Sequence, residues 1–263
     1  MTPGAAALAP LLADPARTGV FTDFDGTLSP IVEDPESARP LDGATAALAA
    51  LVPRVARVGV ISGRPAAFLL AHVGVPGVSL SGLHGLETVE DGEVVPMPGA
   101  EPWQAAIAQA AGAARDELGD NAGVEDKTYA LTLHFRRSPA AQQQVAEWAQ
   151  RRAAATGLRV HRARMSYELR PPVPHGKDVT LERAARGLGA ACFIGDDAGD
   201  AEAFDALDAL AATTGLAAVR IAVRSDESPP DLLDRADLVV DGPPGVVELL
   251  RRLAGAQPGS AGG

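Results

Sequence analysis

One cysteine, Cys192, is all that the 263 residues contain. A lone thiol closes no internal disulfide and builds no thiolate metal site, so nothing in the sequence asks for an oxidising compartment. Positive charge is also scarce. Lys and Arg total 23 against 34 Asp and Glu, a net charge of -11 with a pI near 4.9. That balance leaves no basic surface large enough to dominate binding to nucleic acid or to an anionic membrane, and any anionic ligand must be met by local groups. Uninterrupted apolar runs of the about 20 residues that span a bilayer are missing. The alanine-rich run Thr2 to Leu12 has no Lys or Arg ahead of it and contains Pro10, a poor fit to a signal peptide. A cytoplasmic protein without nucleic-acid or membrane partners is the expectation. No internal repeat is visible, and the one low-complexity piece, Pro258 to Gly263, is expected to fray.

What is present suits ordinary folding by burial. Hydrophobic residues make up 46% and charged ones 22%, close to soluble globular averages and unlike disordered, collagen-like or disulfide-stapled chains. Short β-branched runs alternate with alanine-rich helical stretches, the pattern of an α/β, doubly wound, mostly parallel sheet. Strands are expected near Gly19 to Thr22, Val55 to Ile61, Val78 to Ser81, Ala191 to Ile194, Val219 to Val223 and Leu238 to Val240. Helices are expected near Gly43 to Leu51, Pro65 to Val73, Val179 to Leu188, Ala201 to Ala211 and Gly245 to Ala254, while the segment up to Arg17 fits either a helix or a loose arm. Between Gly99 and Pro172 the pattern changes to long helices, Glu101 to Leu118 and Pro139 to Ala155, and alternating strands. Thr128 to Phe135 alternates Tyr129, Leu131, Leu133 and Phe135 with a polar face expected to be exposed. Prolines at 96, 98 and 102 and at 171, 172 and 174 flank this stretch and suit semi-rigid hinges. The predicted organisation is a core domain over 1–98 and 173–263 with an inserted α/β domain over 99–172.

Three strand ends carry the chemistry. Val20-Phe21-Thr22-Asp23-Phe24-Asp25-Gly26-Thr27 runs an apolar strand into two aspartates one residue apart. Carboxylates at a buried strand end shift their pKa or destabilise the fold unless a cation compensates. Ligands in doubly wound sheets gather at this end of the strands. Val58-Gly59-Val60-Ile61-Ser62-Gly63-Arg64-Pro65 offers a hydroxyl and backbone amides at a helix start, suited to phosphate, though taken alone a serine cap is the better reading. Ala191 to Gly195 leads into Asp196, Asp197 and Asp200, of which Asp196 could complete an oxygen site for Mg²⁺ and one could cap a helix. Lys177, at a helix start, is a point charge able to neutralise phosphate.

The order Asp-Phe-Asp-Gly-Thr-Leu, Ile-Ser-Gly-Arg, a lysine and Gly-Asp-Asp resembles the four motifs of the haloacid dehalogenase superfamily, over the whole chain. Segments Ser81 to Glu87, Val124 to Lys127, Leu133 to Arg136, Tyr167 to Pro171 and Gly195 to Phe204 further resemble the trehalose-6-phosphate phosphatase family. That family has a cap domain inserted between its second and third motifs. The resemblance implies a Rossmann-like core and a phosphoric monoester hydrolase converting trehalose 6-phosphate to trehalose and phosphate with Mg²⁺; a monomer is expected. Asp23 would be the nucleophile, forming an aspartyl-phosphate, and Asp25 the general acid and base. The metal would sit on Asp23, Asp25 through its carbonyl, and Asp196, supported by Asp197 and Asp200. Ser62, Gly63 and Lys177 would hold the phosphate, and Arg64, His84, Glu125, Lys127, Arg136 and Glu168 the rest of the substrate. Gly176-Lys177-Asp178 departs from the family's usual lysine-glycine order and puts a carboxylate beside the cation. His72, His134, His161 and His175 receive no role. A phosphatase of sucrose phosphate, glycosyl-phosphoglycerate or hexose phosphate, and a non-catalytic sugar-phosphate sensor, remain the alternatives.

Overall fold

The computed structural model describes residues 3–255 except Glu33, Arg164 and Glu227, so the tail expected to fray lies outside the described residues. Two compact units emerge: residues up to Val95 together with those from His175 onward, and Pro96–Pro174. The chain begins with α1 (Pro3–Ala13), β1 (Thr18–Thr22), α2 (Ala44–Leu51), β2 (Arg57–Ile61), α3 (Ala66–His72), β3 (Val78–Gly82), β4 (Glu87–Glu90) and β5 (Glu93–Pro96). The inserted unit contains α4 (Gln104–Leu118), β6 (Gly123–Asp126), β7 (Leu131–His134), α5 (Gln142–Thr156), β8 (Arg159–Ala163) and β9 (Ser166–Arg170). The first unit resumes with α6 (Lys177–Ala185), β10 (Ala190–Gly195), α7 (Asp200–Thr214), β11 (Ala217–Arg224), α8 (Pro230–Arg235), β12 (Leu238–Asp241) and α9 (Gly242–Leu253).

The first unit is built on one sheet in the order β12-β11-β10-β1-β2-β3-β4-β5. Its strands pair in parallel from β12 to β3, and β4 runs antiparallel to β3. Alternate side chains of the central strands enter different cores, as the two-residue period of a strand requires. Val20, Cys192 and Ile194 pack with Leu8 and Leu11 of α1, with α2 and with α9, while Phe21, Ala191 and Phe193 pack with α6, α7 and Leu232 of α8. Burial on both faces explains why these strands read as continuous apolar runs. The amino-terminal segment therefore resolves as a helix, with Leu8 and Leu11 fully buried. Cys192 is also fully buried and its thiol is pushed up to about 12 by that burial, which leaves it unreactive. Among the described residues no helix is long and apolar enough to cross a membrane.

From β1 the chain proceeds to β2 on one side, and β10 lies on the other. This reversal of direction beside β1 is the switch point at which doubly wound sheets open a crevice for ligands.

In the inserted unit a four-stranded sheet, β6-β7-β9-β8, packs one face on α4 and α5 through Ile107, Leu131, Leu133, Phe135, Trp148 and Leu169. The strand expected over Thr128 to Phe135 is shorter. Thr128 takes φ 70° and its amide donates to Asp126 Oδ1 at 3.0 Å, turning the chain between β6 and β7 before pairing begins. The polar face of β7 is also not left open. Thr132 is buried and donates to Glu168 Oε1 at 3.2 Å.

Candidate active site

Asp23 leaves β1 with its amide donating to the Ile194 carbonyl at 2.9 Å, which continues the pairing with β10. Phe24 points the opposite way and is fully buried against Phe68. The alternation places Asp23 and Asp25 on one side with an aromatic anchor between them. Gly26 then turns the chain at φ 73°, and a Cβ there would lie 2.1 Å from Asp196 Oδ2, so only glycine fits. Thr27 donates to Asp196 Oδ1 at 3.1 Å and so joins the two strand ends.

Lys177 is 2% exposed at the start of α6. Its ammonium lies 3.0 Å from Asp23 Oδ2 and donates to Asp200 Oδ1 at 2.5 Å. The neighbouring Asp178 does not take part in this pairing. Asp23 Oδ1, by contrast, is buried with no hydrogen-bond partner. Buried polar atoms are nearly always paired, so this oxygen marks a candidate position for a reactant or a cation.

Asp197 and Asp200 exchange capping bonds at the start of α7. The Asp200 amide donates to Asp197 Oδ1 at 3.2 Å, and the Asp197 amide to Asp200 Oδ2 at 3.0 Å. This is the reciprocal pattern that satisfies a helix N-terminus, so two of the three aspartates cap, where the sequence suggested one. Asp200 Oδ2 also accepts from the Asp196 amide at 2.8 Å, so both its oxygens are engaged.

Asp23, Asp197 and Asp200 place ligand oxygens within 4.8 Å of one another, a group able to hold a metal ion. Asp196 falls outside that trio and turns toward Thr27 and Gly26. Four carboxylates thus crowd one ammonium. Burial drives Asp23 well above the usual carboxylate range, Lys177 opposes, and the charges of Asp200, Asp197 and Asp196 add to the rise. Asp196 is pushed up to about 7 by burial, then by Asp200 and Asp197. Asp200 reaches about 6 through burial, with Lys177 opposing. The deficit is of positive charge, and an all-oxygen donor set suits a hard divalent cation.

These shifts fix a pH dependence. The folded values lie above the unfolded one of about 3.9, so the folded state holds protons that the unfolded chain releases. Their stabilising effect is complete below about pH 4 and is lost as pH rises through about 6 to 7. Metal-free protein should therefore melt at a lower temperature near pH 8 than near pH 5, and added Mg²⁺ should raise Tm more at the higher pH. Thermal denaturation with Mg²⁺ or chelator at both pH values checks this, and an equal Mg²⁺ gain at both would refute it.

Ser62 is buried after β2, with Oγ accepting from the Arg64 amide at 3.3 Å. The helix start that the sequence offers to phosphate is partly occupied. Glu87 Oε2 accepts from the Ala66 amide at 2.8 Å, so a carboxylate caps α3, and burial raises the pKa of Glu87. Arg64 grips Asp25 with two hydrogen bonds of 2.7 Å, donates to the Pro35 carbonyl at 2.6 Å and lies over the Phe68 ring. His84 sits in the turn after β3 with φ 55°, beside Gly63.

In the inserted unit Lys127 lies between Glu125 Oε2 at 3.7 Å and Glu168 Oε1 at 3.5 Å. Glu168 is buried and bonded to Arg170 at 2.6 Å through Nε. His134, left without a role, meets Glu125 Oε2 at 2.9 Å. Burial raises the pKa of Glu125, but the His134 hydrogen bond and the Lys127 charge outweigh it and hold the carboxyl below its usual range. Three of the four substrate-binding candidates that lie in the inserted unit, Glu125, Lys127 and Glu168, are thereby grouped. Arg136 is exposed beyond the end of β7, outside that group.

The model of the trehalose-phosphatase family matches residues 21–232. The chain belongs to the trehalose-phosphatase family. Its relatives include the trehalose-phosphate phosphatase of Mycobacterium avium, 40% identical over 248 residues that cover 89% of this chain and 61% of that protein. The trehalose-phosphate phosphatase of Mycobacterium leprae is 37% identical over 90% of this chain and 58% of its own. The chain thus spans about three fifths of these relatives' length. Among solved structures, the C-terminal domain of the C. albicans trehalose-6-phosphate phosphatase superposes with a TM-score of 0.74 at 23% identity, covering 98% of each chain. The expected α/β core of the haloacid dehalogenase type is confirmed at this level, since the structural neighbours also include a haloacid dehalogenase-like hydrolase from Bacteroides thetaiotaomicron with a TM-score of 0.62.

Proposed function

We propose that this member of the trehalose-phosphatase family hydrolyses trehalose 6-phosphate to trehalose and phosphate, with Asp23 as nucleophile. The observation that carries this reading is the asymmetric Asp23 carboxylate, one oxygen held by Lys177 at 3.0 Å and the other buried and unpartnered. The free oxygen attacks phosphorus, the bond from phosphorus to the sugar oxygen breaks, and Asp25 gives that oxygen its proton. Asp25 then takes a proton from water, which attacks the aspartyl-phosphate and releases phosphate with Asp23 restored. Lys177 and Ser62 orient the phosphoryl oxygens. Mg²⁺ would be held by Asp23, the Asp25 carbonyl and Asp196, with Asp197 and Asp200 in support although it is their oxygens, not those of Asp196, that lie within 4.8 Å of an Asp23 oxygen, and it would supply charge to offset the repulsion between two anions. Asp200, with both oxygens engaged, holds the loop and Lys177 in place.

Residues 96–174 act as the cap in this reading, and their Glu125, Lys127 and Glu168 recognise the hydroxyl-rich sugar through charge-assisted hydrogen bonds, with Arg136 a fourth contact. Glu125→Gln and Lys127→Ala should each raise KM for trehalose 6-phosphate roughly 10- to 100-fold. Turnover of p-nitrophenyl phosphate, which has no sugar, should be little changed. Phosphate release from trehalose 6-phosphate, sucrose 6-phosphate, glucose 6-phosphate and a glycosyl-phosphoglycerate tests the whole reading. A clear preference for the first, lost on chelation, supports it; equal, weak rates point to another sugar phosphate, and no release to a sensor.

A further inference from the structure

Leu83, His84 and Gly85 follow one another at φ 49°, 55° and 96° between β3 and β4. L-residues visit this left-handed region singly, because Cβ crowds the carbonyl, so two non-glycine residues in succession need compensation from their surroundings. The compensation lies in main-chain hydrogen bonds to two separate loops. The Leu83 amide donates to the Arg64 carbonyl and the His84 amide to the Ser62 carbonyl, both at 2.9 Å. On the other side the His84 carbonyl accepts from the Gly176 amide at 2.9 Å and from the Thr180 hydroxyl at 3.3 Å. One strained turn therefore ties the Ser62 loop to the residues flanking Lys177.

Gly176 provides no side-chain cap, and it lies two residues after the inserted unit ends at Pro174. At Gly85 a Cβ would stand 2.0 Å from Thr180 Oγ1, so the turn and α6 touch without spare room. A left-handed backbone at 83–85 is the conformation that lets one carbonyl reach Gly176 while the adjacent amide reaches Ser62.

We propose that the Leu83–Gly85 turn is a positioning element that sets the Lys177 ammonium and Ser62 at the spacing required to hold one phosphoryl group. This rests on the reading of Ser62 and Lys177 as phosphate ligands. The turn also fixes the point where the chain re-enters the first unit, so the lysine is registered by the core sheet rather than by the inserted residues.

The test compares His84→Asn with His84→Val in the full chain, using inorganic phosphate with Mg²⁺ as the probe, measured by calorimetry and as a competitive inhibitor. Both substitutions delete the imidazole and every contact it makes. They differ in backbone tolerance, since Asn enters the left-handed region far more readily than a β-branched residue. The Val variant is expected to bind phosphate at least about 10-fold more weakly than the Asn variant and to lose up to about 100-fold in kcat, the scale of a misplaced catalytic group. A role in stability alone would lower Tm and leave phosphate affinity per folded molecule equal in the two, and that equality overturns the proposal. Should the Val variant not fold, Thr180→Val removes the hydroxyl that donates to the His84 carbonyl while keeping the shape of the side chain. Weaker phosphate binding at a Tm within a few degrees of the parent supports the proposal, and unchanged phosphate affinity overturns it. Failure of the unaltered protein to bind phosphate would instead overturn the assignment of Ser62 and Lys177.

Discussion

Asp23→Asn is expected to cut phosphate release from trehalose 6-phosphate by roughly 10³-fold or more, the scale on which covalent enzymes lose turnover with their nucleophile. The fold should persist. Asn matches Asp in size, and its Oδ1 can still accept from Lys177, which lies 3.0 Å from Asp23 Oδ2. Burial already disfavours the charged form of Asp23, so a neutral amide removes a desolvation penalty as well as an attractive partner. Tm within a few degrees of the unaltered protein and no burst of released trehalose together identify a chemical loss. A variant retaining more than about a tenth of the activity would take Asp23 out of the nucleophile role.

Lys177→Met should be nearly as damaging to activity and far worse for stability. It removes the cation that faces Asp23 and Asp200, leaving two buried carboxylates unpaired. Breaking a buried pair from one side typically costs about 3–5 kcal/mol. Burial lowers the pKa of Lys177, but Asp200 and Asp23 outweigh it and raise the value well above the ordinary one. A cation raised in this way contributes its stability in full below its unfolded pKa and loses it only as pH rises through the folded one, so the unaltered pair holds across neutral pH. In the variant the orphaned carboxylates rise further and can be neutral in mild acid. The stability difference between variant and parent should accordingly shrink as pH falls from about 8 to about 5. Chemical denaturation at both pH values checks the sign, and a gap that widens in acid would contradict it.

The parallel strands were legible because burial on both faces writes them as apolar runs, and Asp23 and Asp196 were legible because each such run ends in acid. The β4 and β5 pair was missed although Asp91-Gly92, both at positive φ, carried the signal of a tight hairpin turn between alternating residues. Glu87 capping α3, Arg64 bound to Asp25 and His134 bound to Glu125 join residues distant in sequence, and composition and periodicity are blind to such pairs. The left-handed Leu83 and His84 were hidden for another reason: local preference opposes that conformation, and only the hydrogen bonds to Ser62 and Gly176 make it tolerable. In the acidic loop, motif reading assigned Asp197 and Asp200 to metal support, whereas their amides and carboxylates also cap each other.

The pairing of β1 with β10 sets a timetable for synthesis. Thr22 lies beside Ile194 in the sheet, and Thr27 bonds to Asp196 across a separation of 169 residues. Until β10 has been made, β1 presents an unpaired edge that the finished sheet buries throughout, the kind of surface that other chains can add to. A nascent chain therefore carries Asp23, the proposed nucleophile, through most of translation with neither Asp196 nor Lys177 alongside it. Such long-range pairing raises contact order and slows folding, so the acidic cluster assembles late, and the exposed β1 edge is the segment most in need of shielding while the ribosome completes the chain.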